Sequence, residues 1–85
     1  MEIIFSPQAI EDLKYWKKTD DIAIQKKISL LLGDIQKHPY VGIGKPEPLK
    51  YQLSGRWSRR INSVHRLVYR VKESEIWIET LRGHY

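Results

Sequence analysis

The sequence predicts an α+β fold in which an N-terminal strand and a two-helix hairpin precede an antiparallel meander sheet. Three observations carry this reading. The first residues are β-branched and aromatic, two stretches between Pro7 and Lys37 repeat apolar residues at helical spacing, and from Tyr51 onward the period becomes that of strands. Eighty-five residues make room for one compact domain, expected to span residues 1–85. A hydrophobic fraction of 41%, with three Trp and five Tyr, is enough for a packed core although 29% of the residues are charged.

Met1 to Phe5 reads as a short strand closed by Ser6-Pro7, where Ser6 is suited to cap a helix and Pro7 to fill its first position. Ile10, Leu13 and Trp16 then recur at helical spacing, with Glu11, Asp12, Lys14 and Lys17 opposite, so this stripe is expected to face the core until the helix stops near Thr19. Thr19 and Asp20 are both competent caps for a second helix, whose stripe is Ile22, Ile28, Leu31, Leu32 and Ile35. His38 ends it, because a residue before proline is driven from helical dihedrals. Tyr40 to Lys50 holds two glycines and two prolines and reads as a stiffened loop. Strands are expected at Tyr51 to Leu53, Trp57 to Asn62, Arg66 to Val71 and Glu75 to Leu81, with turns at Ser54-Gly55 and Lys72 to Ser74. Together with Met1 to Phe5 they make a sheet with the helix pair on one face.

Composition narrows the function. The absence of cysteine excludes disulfide scaffolds, thiolate zinc sites and cysteine nucleophiles, and it suits a reducing cytosol. The start, MEIIFSPQ, has neither the charge nor the apolar length of a signal peptide or membrane span, so a cytoplasmic protein with no membrane association is expected. A net charge of +5 attracts nucleic acid or an acidic protein.

The histidines are spaced too widely for a zinc site, which points to a metal-free site with no cofactor. His38 suits a helix C-terminus, and His65 shares strand parity with Leu67, Tyr69 and Val71 as a hydrogen-bonded packing residue. His84-Tyr85 lies only three residues past the last apolar strand and so stays near the strand ends. In GKPEPLK, residues 44–50, two prolines restrain one carboxylate, Glu47, among lysines that favour its ionised form. Arg59 and Arg60 face opposite sides of their strand, whereas Arg66 and Arg70 share a face with Val68. Guanidinium groups clustered on one face match phosphate geometry, and Tyr40, Tyr51 and Trp57 offer rings for unpaired bases.

These residues resemble the YoeB-type toxins of bacterial type II toxin-antitoxin modules, within the RelE toxin superfamily. The resemblance covers nearly the whole chain. It rests on Tyr15-Trp16 with Thr19-Asp20, on residues 44–50, on Leu53-Ser54-Gly55 with Trp57-Ser58-Arg59-Arg60-Ile61, on His65-Arg66-Leu67-Val68-Tyr69, and on terminal His84-Tyr85. It implies a RelE-like microbial ribonuclease fold that enters the ribosomal A site and cuts mRNA there, arresting translation. It also implies a cognate YefM-like antitoxin, homodimerisation, and contact with operator DNA only through the antitoxin complex. Carried over by position, the catalytic set is Glu47, Arg66, His84 and Tyr85, and the accessory phosphate-binding residues are Lys50 and Arg60. Arg56 before Trp57, and Tyr51-Gln52 before Leu53, depart from the family pattern and bear on codon preference and ribosome contacts.

The residues suit that chemistry. Cutting RNA without a metal needs a base for the 2′-hydroxyl, an acid for the leaving 5′-oxygen and a cation for phosphorane charge, roles open to Glu47, His84 and Arg66. Two alternatives stand beside it: a superfamily member without nuclease activity that poisons another target such as DNA gyrase, and a non-catalytic basic module that binds RNA or DNA.

Overall fold

A computed structural model describes residues 1–83 of the chain. The elements follow in the order β1 (Glu2–Phe5), α1 (Pro7–Lys18), α2 (Ile22–Lys37), β2 (Glu47–Pro48), a 3-10 turn (Tyr51–Leu53), β3 (Trp57–Arg60), β4 (Arg66–Lys72) and β5 (Glu75–Thr80). They form a five-stranded sheet in the order β1-β5-β4-β3-β2. The meander from β3 to β5 is antiparallel as expected, β2 pairs antiparallel with β3, and β1 adds parallel to β5, aligning Ile4 with Trp77.

Local chemistry sets the helix ends. The Ser6 hydroxyl accepts from the Ala9 amide at 3.0 Å and donates to the Glu79 carbonyl at 2.7 Å, so one side chain both caps α1 and ties it to the sheet. Asp21, not Thr19 or Asp20, caps α2 by accepting from the Ile24 amide at 3.2 Å. Thr19 closes α1, and Asp20 turns the chain in the left-handed region at φ +56.

The core lies between the helix pair and one sheet face. Ala9 and Trp16 of α1, and Ile24, Ile28, Leu31 and Ile35 of α2, meet Leu67, Tyr69, Ile76, Ile78 and Leu81. Two apolar expectations fail, because Ile10 is 44% and Ile22 is 50% exposed. The face of α1 that packs is Ala9, Asp12 and Trp16, with Asp12 buried because its carboxylate accepts from the Leu81 amide at 2.8 Å.

Tyr51 to Leu53 is not a strand. Tyr51 sits at φ +58, outside extended dihedrals, and the Leu53 and Ser54 amides turn back to the carbonyls of Lys50 and Tyr51. The strand beside β3 is instead Glu47–Pro48, on the sheet edge, where a residue without an N–H is tolerated. Among the described residues no helix is long and apolar enough to cross a membrane.

Candidate active site

Register places the charged residues. Glu47 pairs with Ser58, Ser58 with Val68 and Arg60 with Arg66, so these side chains share the sheet face opposite the helices. Arg59, one residue out of phase, turns into the core and is fully buried, while Arg60 is exposed, as alternation predicts. On the shared face Glu47 Oε1 lies 3.8 Å from Arg66 Nη1. The arginine side chain is 23% exposed and the glutamate 53%, so the pair opens to solvent at the carboxylate.

The loop before Glu47 is held from the sheet side. The Arg59 guanidinium donates to the carbonyls of His38, Val41 and Ile43, and to Asp34 Oδ2. The Arg60 amide donates to the Gly44 carbonyl at 2.6 Å. Gly44 has φ +79, and a Cβ there would come within 2.7 Å of Leu31 Cδ2, so only glycine lets the loop pass this close. The carboxyl of Asp34 is held below its ordinary value chiefly by the Arg59 hydrogen bond. Sequence reasoning took Arg59 only as an arginine pointing away from its neighbour; its place in strand parity is the signal that it enters the core.

Beyond Glu47, the 3-10 turn folds over the same face and buries Leu49, leaving a groove of about 420 Å³ lined by Glu47, Lys50 and Tyr51. Lys50 therefore borders the space into which Glu47 opens. A neighbouring depression of about 280 Å³ is floored by Leu49, Leu53 and Val68 and reaches Gly83. Glu79 lies at its rim between Arg56 and Arg70; burial opposes its ionisation, but hydrogen bonds from both arginines outweigh this and keep its carboxyl below the ordinary value.

After β5 the chain returns to this site. The Arg66 amide donates to the Gly83 carbonyl at 2.9 Å, so the last described residue is bonded to the backbone of the residue whose guanidinium faces Glu47. His84 and Tyr85 lie outside the described residues. The structure thus gathers Glu47, Arg66 and Arg60 on one face, with Lys50 bordering the groove beside Glu47, and bonds Gly83 to the Arg66 backbone. His65 is the packing residue expected of it, its ring edge-on to Trp16 at a centroid distance of 4.8 Å. Among the described residues, no group of three or more His, Asp or Glu side chains is placed to hold a metal ion.

Residues 5–85 match the family described as YoeB-like toxin of bacterial type II toxin-antitoxin system. Toxin YoeB of Escherichia coli K12 is 48% identical over 85 residues, covering all of both chains. The solved YoeB/ParE toxin from Agrobacterium tumefaciens superposes with a TM-score of 0.95 at 38% identity, again over the full length of both. The YoeB dimer from Staphylococcus aureus superposes at 0.90 with 49% identity, covering 100% of this chain and 98% of that one. A toxin chain of a heterotetrameric YoeB-YefM complex from S. aureus superposes at 0.89 with 49% identity, covering 100% of this chain and 98% of that one.

Proposed function

From the premise that this chain belongs to the YoeB-like toxin family of bacterial type II toxin-antitoxin systems, we propose that it is a ribosome-dependent mRNA endoribonuclease. Its action is to cut the codon in the ribosomal A site and so arrest translation. The observation that carries this is the Glu47–Arg66 pair, 3.8 Å apart on the open sheet face, with the Arg66 amide bonded to the Gly83 carbonyl. An anionic base beside a planar cation is the pair that transfer of a 2′-hydroxyl proton and stabilisation of a phosphorane require.

In this reading Glu47 removes the 2′-hydroxyl proton and the 2′-oxygen attacks the adjacent phosphorus. Arg66, with Lys50 and Arg60 at the margins, offsets the charge that builds on the phosphoryl oxygens. The bond to the 5′-oxygen breaks, that oxygen takes a proton from His84, and Tyr85 positions the phosphate. The products are a 2′,3′-cyclic phosphate and a 5′-hydroxyl. No divalent ion or other cofactor enters. The protein works in the cytoplasm as a single domain, alone or as a homodimer like its S. aureus relative. A YefM-like antitoxin restrains it, and operator DNA is met only through that complex.

Primer extension on translated mRNA after brief induction tests this. Breaks confined to A-site codons, and lost in Glu47→Gln, are expected. Cleavage is also expected to persist in excess EDTA on preassembled, crosslinked ribosomes, which separates ribosome integrity from chemistry. Binding without breaks would leave a basic RNA-binding module, and translation running unarrested would point to another target.

A further inference from the structure

Leu81 to Gly83, which carries the chain to His84 and Tyr85, is bonded on alternate residues to elements distant in sequence. The Leu81 amide donates to Asp12 Oδ2 at 2.8 Å, and its carbonyl accepts from the Trp16 indole at 2.9 Å, both bonds being buried. Two residues on, the Gly83 amide donates to His65 Nδ1 at 2.8 Å and the Gly83 carbonyl accepts from the Arg66 amide at 2.9 Å. Trp16 joins the two holds, because the indole that bonds Leu81 also meets the His65 ring edge-on, with 77° between the planes. Gln8 Nε2 donates to the other oxygen of Asp12 at 2.9 Å and so fixes that carboxylate in turn.

The chemistry of the Gly83 hold is specific. An imidazole nitrogen that accepts from an amide carries no proton, so His65 is the neutral tautomer with its hydrogen on Nε2. β5 ends at Thr80, so beyond it a side chain supplies what a neighbouring strand would have supplied. Gly83 stands at φ +80, in the left-handed region, and the next Cα is one peptide away. The orientation of the Gly83 peptide therefore decides where the following side chain starts. Leu81 is held by burial as well as by its bonds, whereas Gly83 has no side chain to bury, so the hold on its amide falls to His65.

We propose that His65 is a positioning residue whose Nδ1, braced on Trp16, sets the direction in which the chain leaves Gly83 and so presents His84 and Tyr85 to the phosphate beside Glu47 and Arg66. This rests on the reading of His84 and Tyr85 as reacting groups. It separates two things that a packing role would join. His65→Phe keeps the ring against Trp16 and removes the acceptor; His65→Asn loses the ring and keeps an acceptor near the Nδ1 position.

Three measurements on the wild type and both variants test it: a thermal melt, single-turnover cleavage of ribosome-bound mRNA across ribosome concentrations, and the exchange rate of the Gly83 amide by NMR in the free protein. The Phe variant should melt above the Asn variant yet cut roughly 10- to 100-fold more slowly at saturation, with half-saturation unchanged, since a misplacement of about 1 Å costs on the order of 10²-fold. The Asn variant should melt lower and cut within a few-fold of the wild type. Gly83 exchange should be slow in the wild type and in His65→Asn and faster in His65→Phe. Rates that follow the melting order, wild-type cleavage by His65→Phe, or equal exchange in all three would overturn the proposal. A wild type that never cuts mRNA would strike the nuclease reading instead, and the exchange rates would still decide whether His65 holds Gly83.

Discussion

Arg59 Nη1 donates to Asp34 Oδ2 at 2.5 Å from a side chain with no exposure to solvent. The same guanidinium serves three loop carbonyls, and its Nε lies 3.3 Å from the Tyr69 hydroxyl, which itself donates to the Pro39 carbonyl at 2.5 Å. A residue of β3 thereby dictates the path of the chain between α2 and β2. Arg59→Met should strand these acceptors and lower stability by about 3 kcal/mol or more, read by urea unfolding. Arg59→Lys should recover little of this, because one ammonium cannot span the positions a planar fork reaches. A near-normal midpoint for Arg59→Met would show that the loop holds itself.

Stability should fall at both ends of the pH scale, for opposite reasons. Asp34 and Glu79 have folded pKa values below their ordinary 3.8 and 4.5, so the stability they contribute is present above those values and is lost as pH falls through the folded ones. Tyr69 is shifted up from 10.0, mainly by burial, so its contribution is present below pH 10.0 and is lost as pH rises through the folded value. Unfolding midpoints measured from pH 2 to 11 check both limbs. Asp34→Asn should flatten the acid limb, and an unchanged acid limb would remove Asp34 from the account.

His84 and Tyr85 lie beyond Leu81, the last residue of the apolar strand read from the sequence, so deleting them is expected to spare the core. Stability should change by no more than about 0.5 kcal/mol, while the cleavage rate should fall roughly 10²- to 10⁴-fold with the loss of the proposed general acid. His84→Gln, which keeps size and polarity, should show most of that loss. Single-turnover rates beside a melt decide the matter, and a truncated protein that cuts normally would refute the assignment.

The net charge of +5 should steer an acidic antitoxin segment to the protein. Stopped-flow association should slow as salt rises from low to physiological, with dissociation changing much less. On-rates that stay flat would leave no role for steering.

Much of the fold was legible because its signals are local. Ser6-Pro7 marks the start of α1 and His38-Pro39 the end of α2, and the alternation along β3 and β4 puts Arg59 and Arg60 on opposite faces. What escaped depends on partners far along the chain. Asp12 reads as a surface carboxylate until Leu81, 69 residues away, supplies its amide. The spacing of Ala9, Asp12 and Trp16 was the available clue, since these three share a helix face. Tyr51 to Leu53 has strand-like composition, but the left-handed dihedral at Tyr51 bends it into a turn. Glu47 and Arg66 could be named from motif; their approach across β3 follows only from the register.

The first strand pairs with the last, Glu2 beside Glu75, and the Ser6 hydroxyl reaches a carbonyl 73 residues away. Chains grow from the amino end, so β1 emerges from the ribosome long before its partner exists. Its Ile3, Ile4 and Phe5 must wait without a neighbour until β5 has been made. Closure by such distant pairs is slow, because the loop entropy is spent before the contacts return it. The Asp12 and Trp16 holds on Leu81 are equally late, being bonds between a helix already made and a residue translated 69 and 65 positions after them. Synthesis and completion of the fold are thus separated in time, and a nascent chain whose β5 has not yet left the ribosome has not built the surface on which Glu47 and Arg66 meet Gly83.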